Sequence, residues 1–360
     1  MKSKLKKVVL LILVVALATL ATEVILRLTG RFSSEELHSV TTANYNKIPG
    51  MWEPHQDFVS REIPALAHHV VTNSLGLRGA ETTLEPRMPR LLCIGDSFTY
   101  GDFVDNQDTM PAQIQKCLGP EIEVLNGGVK GTTVVDQRKF LDRQLVLKPD
   151  AVLLTYCEND LTDLDADPPM HVLLERNRKL KSGFLNPIYN LVRDTCLFNL
   201  LLKARSKLRA LRTEAKDERR QPRNPLAQLG RYVSEVVKLR KELEERGIAL
   251  FVAAYPSHLV LSEKRERTID PLLEALGEVG IEGIDPTPAL RDTGLPNTEL
   301  YLLPHDGHPG PRGYEIAAKV VAEKLRPFFE KRRSRSSFGQ TSRSSDATTG
   351  QSPSATDRTP

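Results

Sequence analysis

Ser97 stands at the end of an apolar run, in Leu91-Leu92-Cys93-Ile94-Gly95-Asp96-Ser97-Phe98-Thr99. A serine where a short strand turns into a helix brings its hydroxyl to the carboxyl edge of a sheet, where open α/β folds bind ligands. Its own N–H then points, with the helix N-terminus, toward an oxyanion forming there. The same tripeptide serves equally well as a helix cap, with Asp96 or Ser97 accepting a backbone N–H. Three further segments break that tie. Val124-Leu125-Asn126-Gly127-Gly128-Val129-Lys130-Gly131-Thr132-Thr133 follows a second strand-like run. Thr155-Tyr156-Cys157-Glu158-Asn159-Asp160-Leu161 follows a third, and Leu303-Pro304-His305-Asp306-Gly307-His308-Pro309 precedes the last helical pattern. Each lies at the C-terminal end of a strand or on the same rim. Four segments spread over about 200 residues can therefore converge on one site.

The elements that must carry these segments are legible from residue 88 to residue 330. Runs 91–95, 122–126, 151–156, 248–255 and 281–285 read as strands. Runs 108–118, 134–147, 226–246, 263–279 and 313–329 read as helices. Near-continuously apolar strands separated by helices require a mainly parallel sheet covered on both faces, a three-layer α/β domain. Residues 168–225 interrupt the rhythm with helical apolar spacing (Ile188, Leu191, Val192, Leu197, Leu200, Leu201) and a charged run from Lys203 to Arg223. That pattern predicts a helical insertion with a solvated basic end.

The 360-residue chain is 40% hydrophobic and 27% charged, ordinary for a globular domain with appendages. Its net charge of +4 is concentrated at the ends. Lys2, Lys4, Lys6 and Lys7 supply +4, the tail from Lys331 to Pro360 another +4, and residues 8–330 carry −4. The folded part therefore has no basic face for nucleic acid. Four cysteines without a CxxC pair make neither a disulfide framework nor a zinc site.

After the lysines comes an uncharged run, Val8 to Thr22, then Glu23-Val24-Ile25-Leu26-Arg27-Leu28. Residues 1–29 read as a signal anchor, a single transmembrane helix; small residues at Ala16, Ala18, Thr19 and Ala21 leave a cleaved signal as the alternative. Either way the lysines stay inside and the rest is exported. Residues 30–87 read as a spacer with a small β element, in which Val70 to Gly79 forms a strand, a turn and a strand. Residues 331–360, rich in Ser, Thr and Arg, read as a disordered tail.

In their order, the four segments resemble the blocks of the SGNH (GDSL-type) hydrolase superfamily: G-D-S, N-x-x-x-x-G, G-x-N-D and a late Asp-His pair. The resemblance covers roughly residues 90–330. Asn73-Ser74-Leu75-Gly76-Leu77-Arg78-Gly79 and the N-terminal anchor are also similar to its exported bacterial branch. It implies a flavodoxin-like α/β/α hydrolase fold and an extracytoplasmic serine esterase working through an acyl-enzyme, with no cofactor and no metal. Ser97 would be the nucleophile, and its N–H, the Gly131 N–H and the Asn159 side chain would form the oxyanion hole. His308 would be the general base and Asp306 its orienting partner. The implied substrate is an ester or O-acylated molecule, cell-envelope glycan or lipid included. An O-acetyltransferase or acetylesterase of envelope polysaccharide and a non-catalytic carbohydrate-binding module are the alternatives.

Two positions depart from the blocks. Cys157 stands where G-x-N-D begins, so its side chain is expected to crowd the oxyanion side or line the acyl pocket. The late pair is Asp306-Gly307-His308 rather than D-x-x-H; if that spacing fails, His308 must lean on a backbone carbonyl. Other motifs are weaker. Asp163-Leu164-Asp165-Ala166-Asp167 opens like a calcium loop but has Pro168 where Gly is required. His68-His69 reads as loop without partner ligands, and Tyr255-Pro256-Ser257-His258 as a strand end on the active-site rim.

Overall fold

The uncharged run behind the lysines forms one helix, α1 (Lys2–Leu28). Its Lys6–Leu28 portion is long and apolar enough to cross a membrane, at about 1.5 Å of rise per residue against a hydrocarbon core of about 30 Å. Near its C-terminal end the Glu23 carboxylate accepts the Cys196 and Leu197 N–H groups, both at 3.0 Å, and pairs with Arg27. The computed structural model describes residues 2–29, 52–165, 169–173, 195–198, 200–201, 204, 225–264 and 267–345. Most of the insertion at 168–225, with Ile188, Leu191, Val192 and nearly all of its charged run, lies outside the described residues, as does part of the calcium-like motif. Among the described residues no acidic, His or Cys cluster forms a metal site.

The spacer folds differently from expectation. β1 (Asp57–Ser60) pairs antiparallel with β2 (His68–Val71), so His68 and His69 lie in a strand rather than a loop. The stretch expected as a second strand contributes one bridge, Thr72 to Arg78. The reason is local: the Asn73 side chain accepts the Leu75 and Leu77 N–H groups at 3.0 Å each, closing the turn on itself.

The main domain then alternates: β3 (Arg90–Ile94), α2 (Ser97–Tyr100), α3 (Met110–Leu118), β4 (Glu123–Asn126), α4 (Val134–Gln144), β5 (Ala151–Tyr156) and α5 (Asn159–Asp163). After the insertion follow α6 (Leu229–Glu244), β6 (Ala249–Ala254), α7 (His258–Leu261), α8 (Ile269–Glu278), β7 (Gly283–Ile284), α9 (Thr287–Asp292), α10 (Asn297–Leu300) and α11 (Pro311–Ser345). The helix expected at 263–279 begins only at Ile269; Glu263, at its expected start, takes a left-handed conformation (φ 59°) rather than a helical one. The closing helix runs past residue 330 to Ser345, so 331–345 is helical rather than disordered. Arg332 pairs with Asp150 at 2.8 Å, and residues 346–360 lie outside the described residues.

Five strands form one parallel sheet in the order β4-β3-β5-β6-β7, the flavodoxin-like order expected. Side chains alternate between its faces, and each face is sealed by helices. Leu92, Ile94, Leu154 and Val252 pack with Leu141 of α4 and Val236 and Leu239 of α6. Leu91, Cys93, Leu153 and Ala253 pack with Ile114 of α3 and Val321 and Leu325 of α11. Full burial of each such Leu or Val contributes about 1.5–3 kcal/mol. From β3 the chain moves first to β4 on one side, then returns to β5 on the other. The crevice between β3 and β5 is therefore where loops from adjacent strands diverge.

Candidate active site

Ser97 opens α2 directly above that crevice. Gly95 makes the approach: its φ of 155° is uncommon for a residue with a side chain, and a Cβ there would stand 2.1 Å from Thr99 Oγ1. Asp96 is wholly buried and performs two tasks. Its Oδ1 accepts the Phe98 N–H at 2.9 Å and caps α2, while its Oδ2 accepts the Asn159 side-chain amide at 2.9 Å. The cap reading and the chemical reading of Gly95-Asp96-Ser97 thus hold together: the cap aims the serine and ties the β3 turn to the β5 turn.

The Ser97 Oγ lies 2.8 Å from His308 Nε2, across 211 residues of sequence. His308 Nδ1 bonds Asp306 Oδ1, and the same oxygen accepts the His308 backbone N–H at 2.7 Å. This is an Asx turn, which joins a side-chain oxygen to the N–H two residues on. The short Asp306-Gly307-His308 spacing therefore holds the imidazole against the carboxylate, and no backbone carbonyl is needed. Burial lowers the His308 pKa, but the Asp306 hydrogen bond and charge, helped by Asp102 and Asp96, raise it by more, so the net shift is upward. Burial works against the Asp306 carboxylate, yet His308 holds it below the usual carboxylate range.

The donor side is built from the other two turns. Gly131 sits in the left-handed region (φ 69°), and the Ser97 and Gly131 N–H groups have no hydrogen-bond partner among the described residues. Met170, from the insertion, reaches over this turn, its Cε 2.9 Å from where a Gly131 Cβ would stand. His171 anchors that segment through Asp136, its N–H at 2.9 Å and its Nδ1 at 2.6 Å from the same oxygen. Asn159 donates to Asp96 at 2.9 Å and, at 3.5 Å, to Asp163. The longer bond is the one an incoming oxyanion can displace.

Cys157 neither crowds this side nor lines an open pocket. It is 1% exposed, and its thiol donates to Asp96 at 3.4 Å and bonds the Asn159 side-chain oxygen. Burial, then the charges of Asp96 and Asp160, push its pKa well up and keep it a thiol. The rim motif at Tyr255–His258 is structural in part: the Ser257 N–H is held by Glu158 at 3.1 Å. Of the five residues expected at the site, Ser97 and Asn159 open α2 and α5, and Gly131, Asp306 and His308 lie on loops, at the carboxyl edge of the sheet or on the adjoining rim. Sequence reasoning gave no site role to Arg78, Asp102, Phe103 or His171, whose partners lie far along the chain.

Comparison with known proteins adds the following. Residues 93–316 match the sequence model of the GDSL-like lipase/acylhydrolase family. No curated protein matches the chain. Among solved structures, TesA is 15% identical over 66% of this chain and 98% of that one, with a TM-score of 0.41. A catalytic mutant of an acetylxylan esterase from Geobacillus stearothermophilus is 17% identical over 68% and 96%, with a TM-score of 0.40. A member of the lipolytic protein G-D-S-L family from Veillonella parvula is 14% identical over 65% and 96%, with a TM-score of 0.39.

Proposed function

The chain belongs to the GDSL-like lipase/acylhydrolase family and is an ester-bond hydrolase, and from that premise we propose that it is an extracytoplasmic serine esterase using Ser97, His308 and Asp306. The observation that carries this reading is the 2.8 Å contact between Ser97 Oγ and His308 Nε2, with Asp306 on the other ring nitrogen. Ser97 Oγ attacks the ester carbonyl carbon as His308 Nε2 takes its proton. The carbonyl electron pair moves to oxygen, where the Ser97 and Gly131 N–H groups and the Asn159 amide stabilise the charge. Collapse of this intermediate breaks the bond to the alcohol, which leaves with the proton from His308. Water, deprotonated by the same imidazole, then splits the acyl-enzyme and restores Ser97.

The geometry also speaks against a non-catalytic carbohydrate-binding module, which has no use for a serine within hydrogen-bond reach of an imidazole. In this reading residues 1–29 anchor the chain, 30–87 form a spacer, and 88–330 form the hydrolase domain. α1, with its lysines, supports a single-pass membrane protein with the catalytic domain outside. The natural ester is O-acyl on an envelope glycan or lipid, because an anchor confines the enzyme to that surface. A second reading, acetyl transfer to or from envelope polysaccharide, draws on the same anchor.

The test uses the chain without residues 1–30. It is expected to hydrolyse short-chain aryl esters, and Ser97→Ala to abolish that turnover; activity surviving the substitution overturns the assignment. Adding an oligosaccharide separates hydrolysis from transfer: acylated sugar formed faster than free acid favours the second reading. Full-length protein is expected to float with vesicles and the truncated chain to stay in solution.

A further inference from the structure

One aromatic ring beside the site is held there against its own backbone preference. Phe103 takes a left-handed conformation (φ 62°), which a bulky side chain adopts only when its surroundings impose it. Its partly exposed ring meets the His308 imidazole edge-on, with centroids 5.6 Å apart, and Phe98 lies 5.2 Å from the same imidazole. His308 must deliver its proton to the departing alcohol, so a partly exposed group packed against the imidazole stands beside the alcohol half of the ester.

What imposes the conformation comes from outside the segment that matches the family. Arg78, 3% exposed, gathers the loop around its guanidinium. It donates to Tyr100 O at 3.1 Å, to Gly101 O at 2.5 Å and to Val104 O, and its Nε donates to Asn106 Oδ1 at 2.9 Å. Carbonyls on both sides of Phe103 are thus tied to one cation, which also lies 4.7 Å over the Tyr100 ring. From the other side Lys130 pairs with Asp102 at 2.7 Å and lies 5.6 Å from the Phe103 ring centroid, joining this loop to the Gly131 turn. The cation is spent on Asp102 and Glu62 (3.5 Å), so the platform it leaves is apolar rather than anion-binding.

Resting on the Ser97–His308 reading, we propose that Phe103 determines specificity for the alcohol half of the substrate. It favours alcohols that carry a ring, whose flat C–H or aromatic face packs against it, and Arg78 is the positioning residue that sets it.

The test compares kcat/KM for phenyl acetate and ethyl acetate, which share an acyl group. Phe103→Ala is expected to lower the value for phenyl acetate about tenfold, the measure of a good aromatic pair, and to leave ethyl acetate within about twofold. Arg78→Lys, which cannot reach all of these acceptors, is expected to lower the same ratio when Phe103 is present and to have no further effect on it in the Phe103→Ala background. Equal losses for both esters, or additive effects in the double variant, overturn the proposal. If Arg78→Lys does not melt cooperatively, Asn106→Ala, which removes the side-chain acceptor, takes its place in the cycle. Ser97→Ala is run alongside: an inert Ser97→Ala with an unchanged ratio in Phe103→Ala sinks this inference alone, whereas an active one sinks the catalytic reading.

Discussion

Replacing Asp306 by Asn and by Ala distinguishes two jobs that a catalytic carboxylate performs together. In many triads an Asn substitution turns its amide toward the imidazole, favours the wrong tautomer and costs about 10,000-fold. Here one oxygen, Oδ1, accepts both the His308 backbone N–H at 2.7 Å and the His308 Nδ1–H. The backbone N–H selects the amide oxygen for that position, since an NH2 group facing it would set donor against donor. Asp306→Asn therefore keeps the imidazole in the tautomer that leaves Nε2 free to accept the Ser97 proton, and loses only the charge. A hydrogen bond to a charged acceptor contributes about 1.5–3 kcal/mol and a neutral one about 0.5–1.5. The difference, about 1.3 kcal/mol in the transition state where His308 becomes cationic, amounts to roughly tenfold in kcat. Asp306→Ala removes the acceptor as well, and its loss is expected to approach about 10,000-fold. Steady-state hydrolysis of a short aryl ester by both variants, each checked for a cooperative melt, measures the gap. Equal losses would show that the Asx turn does not control the tautomer.

The remaining predictions draw on the same geometry and on the fold. Because the His308 pKa is raised, the acid limb of kcat/KM is expected above about 6.5, with activity rising as the imidazole loses its proton. The pair's contribution to stability spans the window between the two shifted pKa values. It is lost as pH rises through that of His308 and as pH falls through the lowered one of Asp306, which urea titrations at several pH values report. Asn159→Ala is expected to cost about 100- to 1,000-fold in kcat as one oxyanion donor is lost, with little change in KM. Arg90, fully buried and bonded to Glu123 at 2.7 Å and to the Thr83 and Leu147 carbonyls, anchors β3 to β4; Arg90→Ala is expected to destabilise by about 3–5 kcal/mol in urea unfolding.

Much of this was legible before any coordinates. The apolar runs at 91–95 and 151–156 could be nothing but buried strands, and the sheet edge they share obliges Ser97 and Asn159 to be neighbours. The Asp306-His308 pair was readable as chemistry, while its geometry was not: an Asx turn turns the short spacing from a defect into the device that holds the imidazole. Cys157 misled for a related reason, since a side chain's direction is set by its partners, here Asp96 and Asn159, rather than by its place in a motif. The contacts that escaped are those joining distant segments without any local pattern. Arg78 to the Tyr100–Asn106 loop, Lys130 to Asp102 and His171 to Asp136 are pairings that no local spacing announces, even where one end lies in a quoted motif. The run of the last helix beyond residue 330 escaped in the same way, since Ser and Arg richness describes composition, whereas the pair of Arg332 with Asp150 joins residues 182 apart.

The central claim is that Ser97 is a nucleophile activated by His308. A fluorophosphonate probe followed by peptide mapping tests it most directly, because only an activated hydroxyl attacks the phosphorus and displaces fluoride. The account predicts one label per chain, on Ser97, and its loss in a folded His308→Ala variant. A folded wild-type protein that takes no label, or takes it on another residue, would contradict it.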